Sequence, residues 1–387
     1  MRNPFRAPPY PGGVVIPPRH YQVNLGSFNL SVGFIVSIAV RGYASSMNNF
    51  WETLPKPILA LAPLEDVTDA AFRRIIAQRG RPDVIFCEFT SADGLVLADE
   101  KGQKKLRRKL LFSEIERPIV AQFFSSVPEH MEAAARIAAE MGFDGVDINM
   151  GCPDRAVEKS GCGAAMIKQP ALAREIIRAA QRGFSQCGTS DVRHPMSLIP
   201  VSVKTRLGYN KDDLEEWLPE LLAEAPAAIT IHARTRKEMS DVPARWERIK
   251  RAVEIRDAVQ GVSVRGESSY KTLIIGNGDL KDCADARAKC EETGADGAML
   301  GRAIYCNPWL FQKRGFVNPF PTPQERIETL AEHIKLFDEL LGDVSNFATM
   351  KKHFKAYISG WDGAKELRTR LMGVKDALSA QSILETA

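Results

Sequence analysis

A cysteine sits between glycine and proline in Gly151-Cys152-Pro153, directly after an apolar run that ends near Asn149. A thiol so placed has three chemistries open to it: nucleophile, metal ligand or proton donor. A nucleophile wants a base across the site, for which His232 is the candidate. A metal centre wants more converging ligands than one cysteine and one histidine, so no metal is expected. Lys204 and Arg206 flank Thr205 and leave one side of a strand together, where a cation can face an electron-rich ring or a phosphate. Arg234 follows His232 at the same spacing. Asn277-Gly278-Asp279 and Gly301-Arg302 combine glycine backbone with polar groups, as a phosphate cradle does. Pro63-Leu64-Glu65 and Gln122 complete the set.

Each of these groups stands at the carboxyl end of a short apolar run. The runs are 58–62, 84–88, 118–122, 144–149, 199–204, 227–232, 273–277 and 296–300, and helical patterns lie between them. Thr68 is a cap for a helix whose apolar face is Ala71, Phe72, Ile75 and Ile76 and which Gly80 closes. A polar segment runs to 113, Pro128–Met141 is a helix stopped by Gly142, and Ala164–Arg182 carries another. Eight strands alternating with helices over about 250 residues make an α/β fold, a (β/α)8 TIM barrel, with its active site at those carboxyl ends. A doubly wound open sheet is the rival, but no G-x-G-x-x-G follows the first strand. After Pro321 only helical periods remain, at 323–341, 346–358, 364–372 and a short terminal piece. The expected organisation is an extension over 1–46, a barrel over 47–320 and a small all-helical C-terminal domain over 321–387.

Composition sets the bounds. Of 387 residues, 44% are hydrophobic and 26% charged, which excludes a disordered or collagen-like chain. The net charge of +4 comes from four arginines (2, 6, 19 and 41) in an otherwise uncharged stretch over 1–51. The rest carries 52 − 4 = 48 basic residues against 48 acidic ones, so a nucleic-acid partner must be argued from local clusters. Seven cysteines without a C-x-x-C pair read as free thiols in a reducing compartment. The apolar run Leu30–Val40 is about half the length a spanning helix needs, so no membrane span is expected. Residues 1–46 read as a disordered or targeting extension, with Met47 as an alternative start.

The segments Ala62–Asp69, Asp147–Pro153, Val203–Gly208, His232–Arg236, Gly276–Asp279 and Gly301-Arg302 resemble, in order and spacing, the motifs of the tRNA-dihydrouridine synthases, and Met350–His353 extends the likeness into the helical part. The resemblance runs from about Pro57 to the end. It implies an FMN-containing barrel that reduces the C5–C6 double bond of particular uridines in tRNA, with NADPH reducing the flavin. It implies that Pro63, Leu64, Glu65, Gln122, Lys204, His232, Asn277, Gly278, Asp279, Gly301 and Arg302 hold FMN, the last two groups at its phosphate. Cys152 is then the acid that protonates uracil C5 while flavin N5 delivers hydride to C6. A free thiol with a pKa near 8.5 stays protonated at neutral pH, as that role requires. Asn149, Arg206, Arg234, Lys351, Lys352 and His353 are assigned to substrate. The target base must leave its stack to reach a barrel floor. The protein is expected to be a cytoplasmic monomer, or organellar if 1–46 is a targeting segment.

Two cationic clusters fit an RNA partner. Lys101, Lys104, Lys105, Arg107, Arg108 and Lys109 place six cations in nine residues, and the helical part adds Lys351, Lys352, His353, Lys355, Lys365, Arg368 and Arg370. Tyr357 and Trp361 interleave the second cluster, to stack on bases or to pack helices. The rivals are a small-molecule FMN reductase of dihydroorotate or dihydropyrimidine type, which needs no helical domain, and a non-catalytic RNA-binding barrel. A phosphosugar aldolase or isomerase lacks its paired carboxylate or Schiff-base arrangement. Leu64 departs from the methionine common in the family, Cys162 is an extra thiol, and the stretches 181–196 and 259–270 look long.

Overall fold

The computed structural model describes residues 49–185, 200–261, 271–312 and 321–387. The extension 1–46, Cys187 and most of the two long stretches lie outside the described residues.

Strands β1 (Ile58–Leu61), β2 (Val84–Phe86), β3 (Thr90–Ser91), β4 (Ile119–Phe124), β5 (Gly145–Met150), β6 (Val201–Arg206), β7 (Ala228–His232), β8 (Leu273–Asn277) and β9 (Gly297–Leu300) are all parallel. β1 pairs with β2 and with β9, β2 pairs with β4, and the ring runs in order from β4 to β9. Eight strands therefore close into the expected TIM barrel, and β3 is a short extension beside β4.

Alternation along each strand divides the side chains between two cores. Ile58, Ala60, Val84, Phe86, Val120, Ala228, Ile275 and Met299 point inward and form an apolar plug with Trp51. Their outward neighbours, such as Leu59, Ile85, Ala121, Ile148, Val203 and Ile274, join the larger core beneath the helices. Further along, the inward positions turn polar: Gln122, Asp147, Asn149, Ser202, Lys204, His232 and Asn277. Burial on both faces is why each strand reads as an unbroken apolar run.

Helix α1 (Ala70–Gly80) buries the expected face, but Asp69 caps it, accepting the Phe72 N–H at 2.8 Å. Thr68 is one residue too early and instead accepts the Leu64 N–H at 2.8 Å. The polar stretch after β2 forms two helices, α2 (Ala92–Leu97) and α3 (Glu100–Lys109). α3 fully buries no side chain; it is held by the Asp99 cap, by Leu106 packed on the outer core and by ion pairs of Lys104, Arg108 and Lys109. α4 (Pro128–Glu140) ends ahead of Gly142 as expected, and α5 (Arg155–Lys159) follows β5. The single helix expected over 164–182 is broken: a 3-10 turn spans Gly163–Lys168 and α6 (Pro170–Ser185) starts afresh. Pro170 cannot continue a helix but can begin one. α7 (Leu214–Leu222), α8 (Trp246–Gln260) and α9 (Cys283–Thr293) complete the outer layer.

The C-terminal helices are α10 (Pro323–Leu341), α11 (Phe354–Tyr357), α12 (Ala364–Gly373) and α13 (Ala377–Leu384). A 3-10 turn over Phe347–His353 and the short α11 replace the single helix expected at 346–358. α10 packs on α1, and Phe72 lies 5.1 Å from the His333 ring and 4.5 Å from that of His353. The ion pairs Arg79–Glu332 and Arg108–Asp343 tie the same helices to the barrel. Their apolar core continues into the outer core of the barrel.

Candidate active site

The carboxyl ends of the strands open into a pocket of about 330 Å3, within the range of small-ligand sites. Every residue assigned to the cofactor from the sequence lines it, together with Cys152, Asn149 and Arg206. Phe89, Ser240, Leu280 and Met299 line it too and had not been singled out. Met299 was legible, because it shares inward parity with Gly301.

Cys152 is half-buried, and that burial raises its thiol above the ordinary pKa, so it is protonated at neutral pH. Its loop is pinned from both sides. Asn149 Oδ1 accepts the N–H groups of Gly151 at 3.1 Å and Cys152 at 2.9 Å. Beneath it Gly163 adopts a φ of +59°, and a Cβ there would come within 2.7 Å of the Cys152 carbonyl. Asn149 Nδ2 donates to Gln122 Oε1 at 3.0 Å, Gln122 Nε2 donates to Asp147 Oδ2 at 2.6 Å, and Ser202 Oγ donates to Asp147 Oδ1. Asp147 is fully buried, and burial raises its carboxyl to about 6.

Lys204 faces the same space. Burial lowers its ammonium to about 8, so it is still charged at pH 7, and it makes no hydrogen bond among the described residues. His232 is pushed well below its ordinary value by burial first and then by Arg206, Lys204, Arg234 and Arg302. Arg234 Nη1 lies 3.0 Å from His232 Nε2, and since arginine only donates, the ring is neutral with its proton on Nδ1.

Of the two arginines assigned to substrate from the sequence, Arg206 lines the pocket and Arg234 does not. Arg206 donates to the carbonyls of Gly151 at 2.8 Å, Thr235 at 3.0 Å and Met239 at 3.0 Å. Arg234, 2% exposed, donates to the Val242 carbonyl and to Asp279. Both brace the loops of the rim, while Arg206 keeps Nη2 without a hydrogen bond among the described residues and lines the pocket. Asp279 is held below the usual carboxylate range, chiefly by Arg234, and also pairs with Arg302 at 2.7 Å. With its carboxylate so engaged, what this loop offers an anion is backbone. Gly278 has a φ of +129°, and a Cβ there would meet that of Ala244 at 2.8 Å.

A sequence model of the family described as "Dihydrouridine synthase (Dus)" matches residues 60–387. A "Probable tRNA-dihydrouridine synthase" of Staphylococcus aureus (strain COL) is 38% identical over 339 residues, covering 87% of this chain and 95% of that protein. The "Probable tRNA-dihydrouridine synthase 2" of Bacillus subtilis (strain 168) is also 38% identical, over 87% and 96% of the two chains. The chain belongs to the dihydrouridine synthase family. Among solved structures, morphinone reductase aligns at 14% identity and a TM-score of 0.45, over 69% of this chain and 88% of that one.

As a dihydrouridine synthase the chain is an oxidoreductase, and its cationic rim can be read residue by residue. Lys104 and Arg108 pair with Asp343 and Lys109 with Glu65, whereas Lys101, Lys105 and Arg107 are exposed with no ion pair among the described residues. Lys352 lies 3.9 Å from Asp66, next to the pocket residue Glu65. Lys351 donates to the Met372 carbonyl at 2.8 Å. His353 is 1% exposed, packed between Phe72 and His333, and cannot touch a substrate from there. Tyr357 is buried, with its hydroxyl 3.0 Å from His333 Nδ1, and so packs helices rather than bases. Glu65, Asp66 and Glu88 bring carboxylates within 4.8 Å of one another, and Lys109 and the Asp66 N–H engage two of them. No described helix is long and apolar enough to cross a membrane.

Proposed function

We propose that the protein reduces the C5–C6 double bond of uridines in tRNA to give 5,6-dihydrouridine, with FMN bound in the pocket, NADPH as reductant and Cys152 as proton donor. The observation that carries this reading is that the half-buried Cys152 thiol, the Lys204 ammonium and the His232 imidazole line one pocket at the ends of the strands.

The residues fit FMN. Lys204, His232, Pro63, Leu64, Glu65 and Gln122 line the pocket and would hold its ring system. Gly301 presents backbone without a side chain beside Arg302, where a phosphate would approach, and a Cβ there would stand in ordinary contact with Ala62 at 3.7 Å and Leu64 at 3.9 Å. When bound and reduced, the flavin supplies a hydride to uracil C6. Cys152 gives its proton to C5, and the thiolate left behind is stabilised by the nearby charges of Lys204 and Arg206. Extruding the base costs a few kcal/mol, which phosphate contacts at Lys101, Lys105, Arg107 and Lys352 offset. We place the activity in a cytoplasmic monomer.

The test is an absorbance spectrum of the purified protein, then anaerobic bleaching by NADPH and reoxidation by unmodified tRNA or by free pyrimidines. A flavin spectrum that NADPH bleaches and only tRNA restores is expected. A colourless protein that takes up no FMN overturns the reading, and restoration by free pyrimidines makes it a small-molecule reductase.

A further inference from the structure

We propose that Asp147 is a positioning residue: from inside the barrel it sets the direction of a hydrogen-bond relay, through the Gln122 and Asn149 amides, that aims the Cys152 loop at the substrate. This rests on the proton-donor role proposed above.

The relay is directional. Asp147 Oδ2 accepts from Gln122 Nε2, which turns Gln122 Oε1 toward Asn149 Nδ2, and that turns Asn149 Oδ1 toward the N–H groups of Gly151 and Cys152. An acceptor stands at one end and two backbone donors at the other. Reversing either amide sets donor against donor or acceptor against acceptor in a buried place. Ser202 Oγ, donating to Asp147 Oδ1, fixes the carboxylate itself. Gln122 and Asp147 are 0% exposed, so water does not reach the bond between them, and Asn149, 8% exposed, stands at the pocket wall. β4 and β5 keep Gln122 and Asp147 at one register position, and β5 and β6 do the same for Asp147 and Ser202. A carboxylate two residues before Asn149 thus reaches a thiol that it does not touch.

The experiment compares Asp147→Asn with Asp147→Leu. Asparagine keeps an acceptor for Gln122 and can present its amide to the Ser202 oxygen, whereas leucine has a similar size and no acceptor. Three quantities are read on the full chain: flavin content, reoxidation of the reduced protein by tRNA and by oxygen, and the rate of Cys152 alkylation by iodoacetamide with the site identified by mass spectrometry. In Asp147→Leu, tRNA-dependent reoxidation per bound flavin is expected to fall by at least about tenfold and Cys152 alkylation to quicken as its loop loosens, with oxygen reoxidation per bound flavin unchanged. Asp147→Asn restores the tRNA step to within about threefold of the parent. If Asp147→Leu yields no folded protein, Asp147→Ser, whose hydroxyl falls short of Gln122, takes its place. An unchanged tRNA step in the breaking variant, or loss of flavin and both reoxidations together, overturns the inference. So does an asparagine variant as poor as leucine. A parent protein without flavin overturns the proposed function instead.

Discussion

In the proposed reaction Cys152 holds a proton until a base arrives and releases it once the base is in place. Burial supplies the first property and the charges of Lys204 and Arg206 the second. Replacing Cys152 by alanine is therefore expected to leave flavin content intact and to lower uridine reduction by about 10²- to 10⁴-fold, the usual worth of a general acid. The sign of the pH dependence follows: only the thiol form donates, and its pKa is raised. The single-turnover rate should fall in two alkaline steps, the first as Lys204 loses its charge at about 8 and the second as the thiol ionises, and only the first should remain in whatever activity Cys152→Ala retains. Arg302, 61% exposed on its side chain, reaches the rim of the proposed phosphate cradle. Arg302→Ala is expected to weaken FMN binding by about 10- to 100-fold in equilibrium dialysis. Unchanged retention would remove the phosphate from that end of the pocket.

The strands were legible because both faces are buried, and the site was legible because barrel chemistry collects where strands end. What escaped the sequence did so for physical reasons. α3 has no apolar stripe, so no period marks it. Asp147 sits three residues short of its strand end, and its partners Gln122 and Ser202 come from neighbouring strands. The carbonyl partners of Arg206 and Arg234 come from loops that no local pattern places. His353 lies in a cationic stretch, yet the 3-10 turn rotates it inward between exposed Lys352 and Lys355. There its two ring nitrogens have no hydrogen-bond partner among the described residues, and burial lowers it to about 3. Below the ordinary value of 6.5 the unfolded chain takes up a proton that the folded chain refuses, so stability is lost as pH falls. Removing this titration in His353→Leu should make the loss of stability between pH 7 and pH 5, measured by denaturant melts, smaller by about 2 kcal/mol. The affinity for tRNA should not change. A weaker tRNA complex with an unaltered acid limb would restore His353 to the substrate surface.

Across the whole molecule the charges outside the first 51 residues cancel, 48 against 48, so attraction to RNA is a matter of arrangement. Internal ion pairs consume half of the α3 cations and leave Lys101, Lys105 and Arg107 facing solvent. Substituting these three by alanine is expected to weaken tRNA binding and to reduce the slope of log affinity against log salt by up to about 3. Flavin reduction by NADPH should be untouched. The measurement that bears most directly on the central claim is mass spectrometry of uridines in unmodified tRNA after incubation with FMN, NADPH and either the parent protein or Cys152→Ala. The account predicts that the parent adds the mass of two hydrogens to particular uridines and the variant does not. Equal conversion by both, or none by a parent that carries flavin, would contradict it.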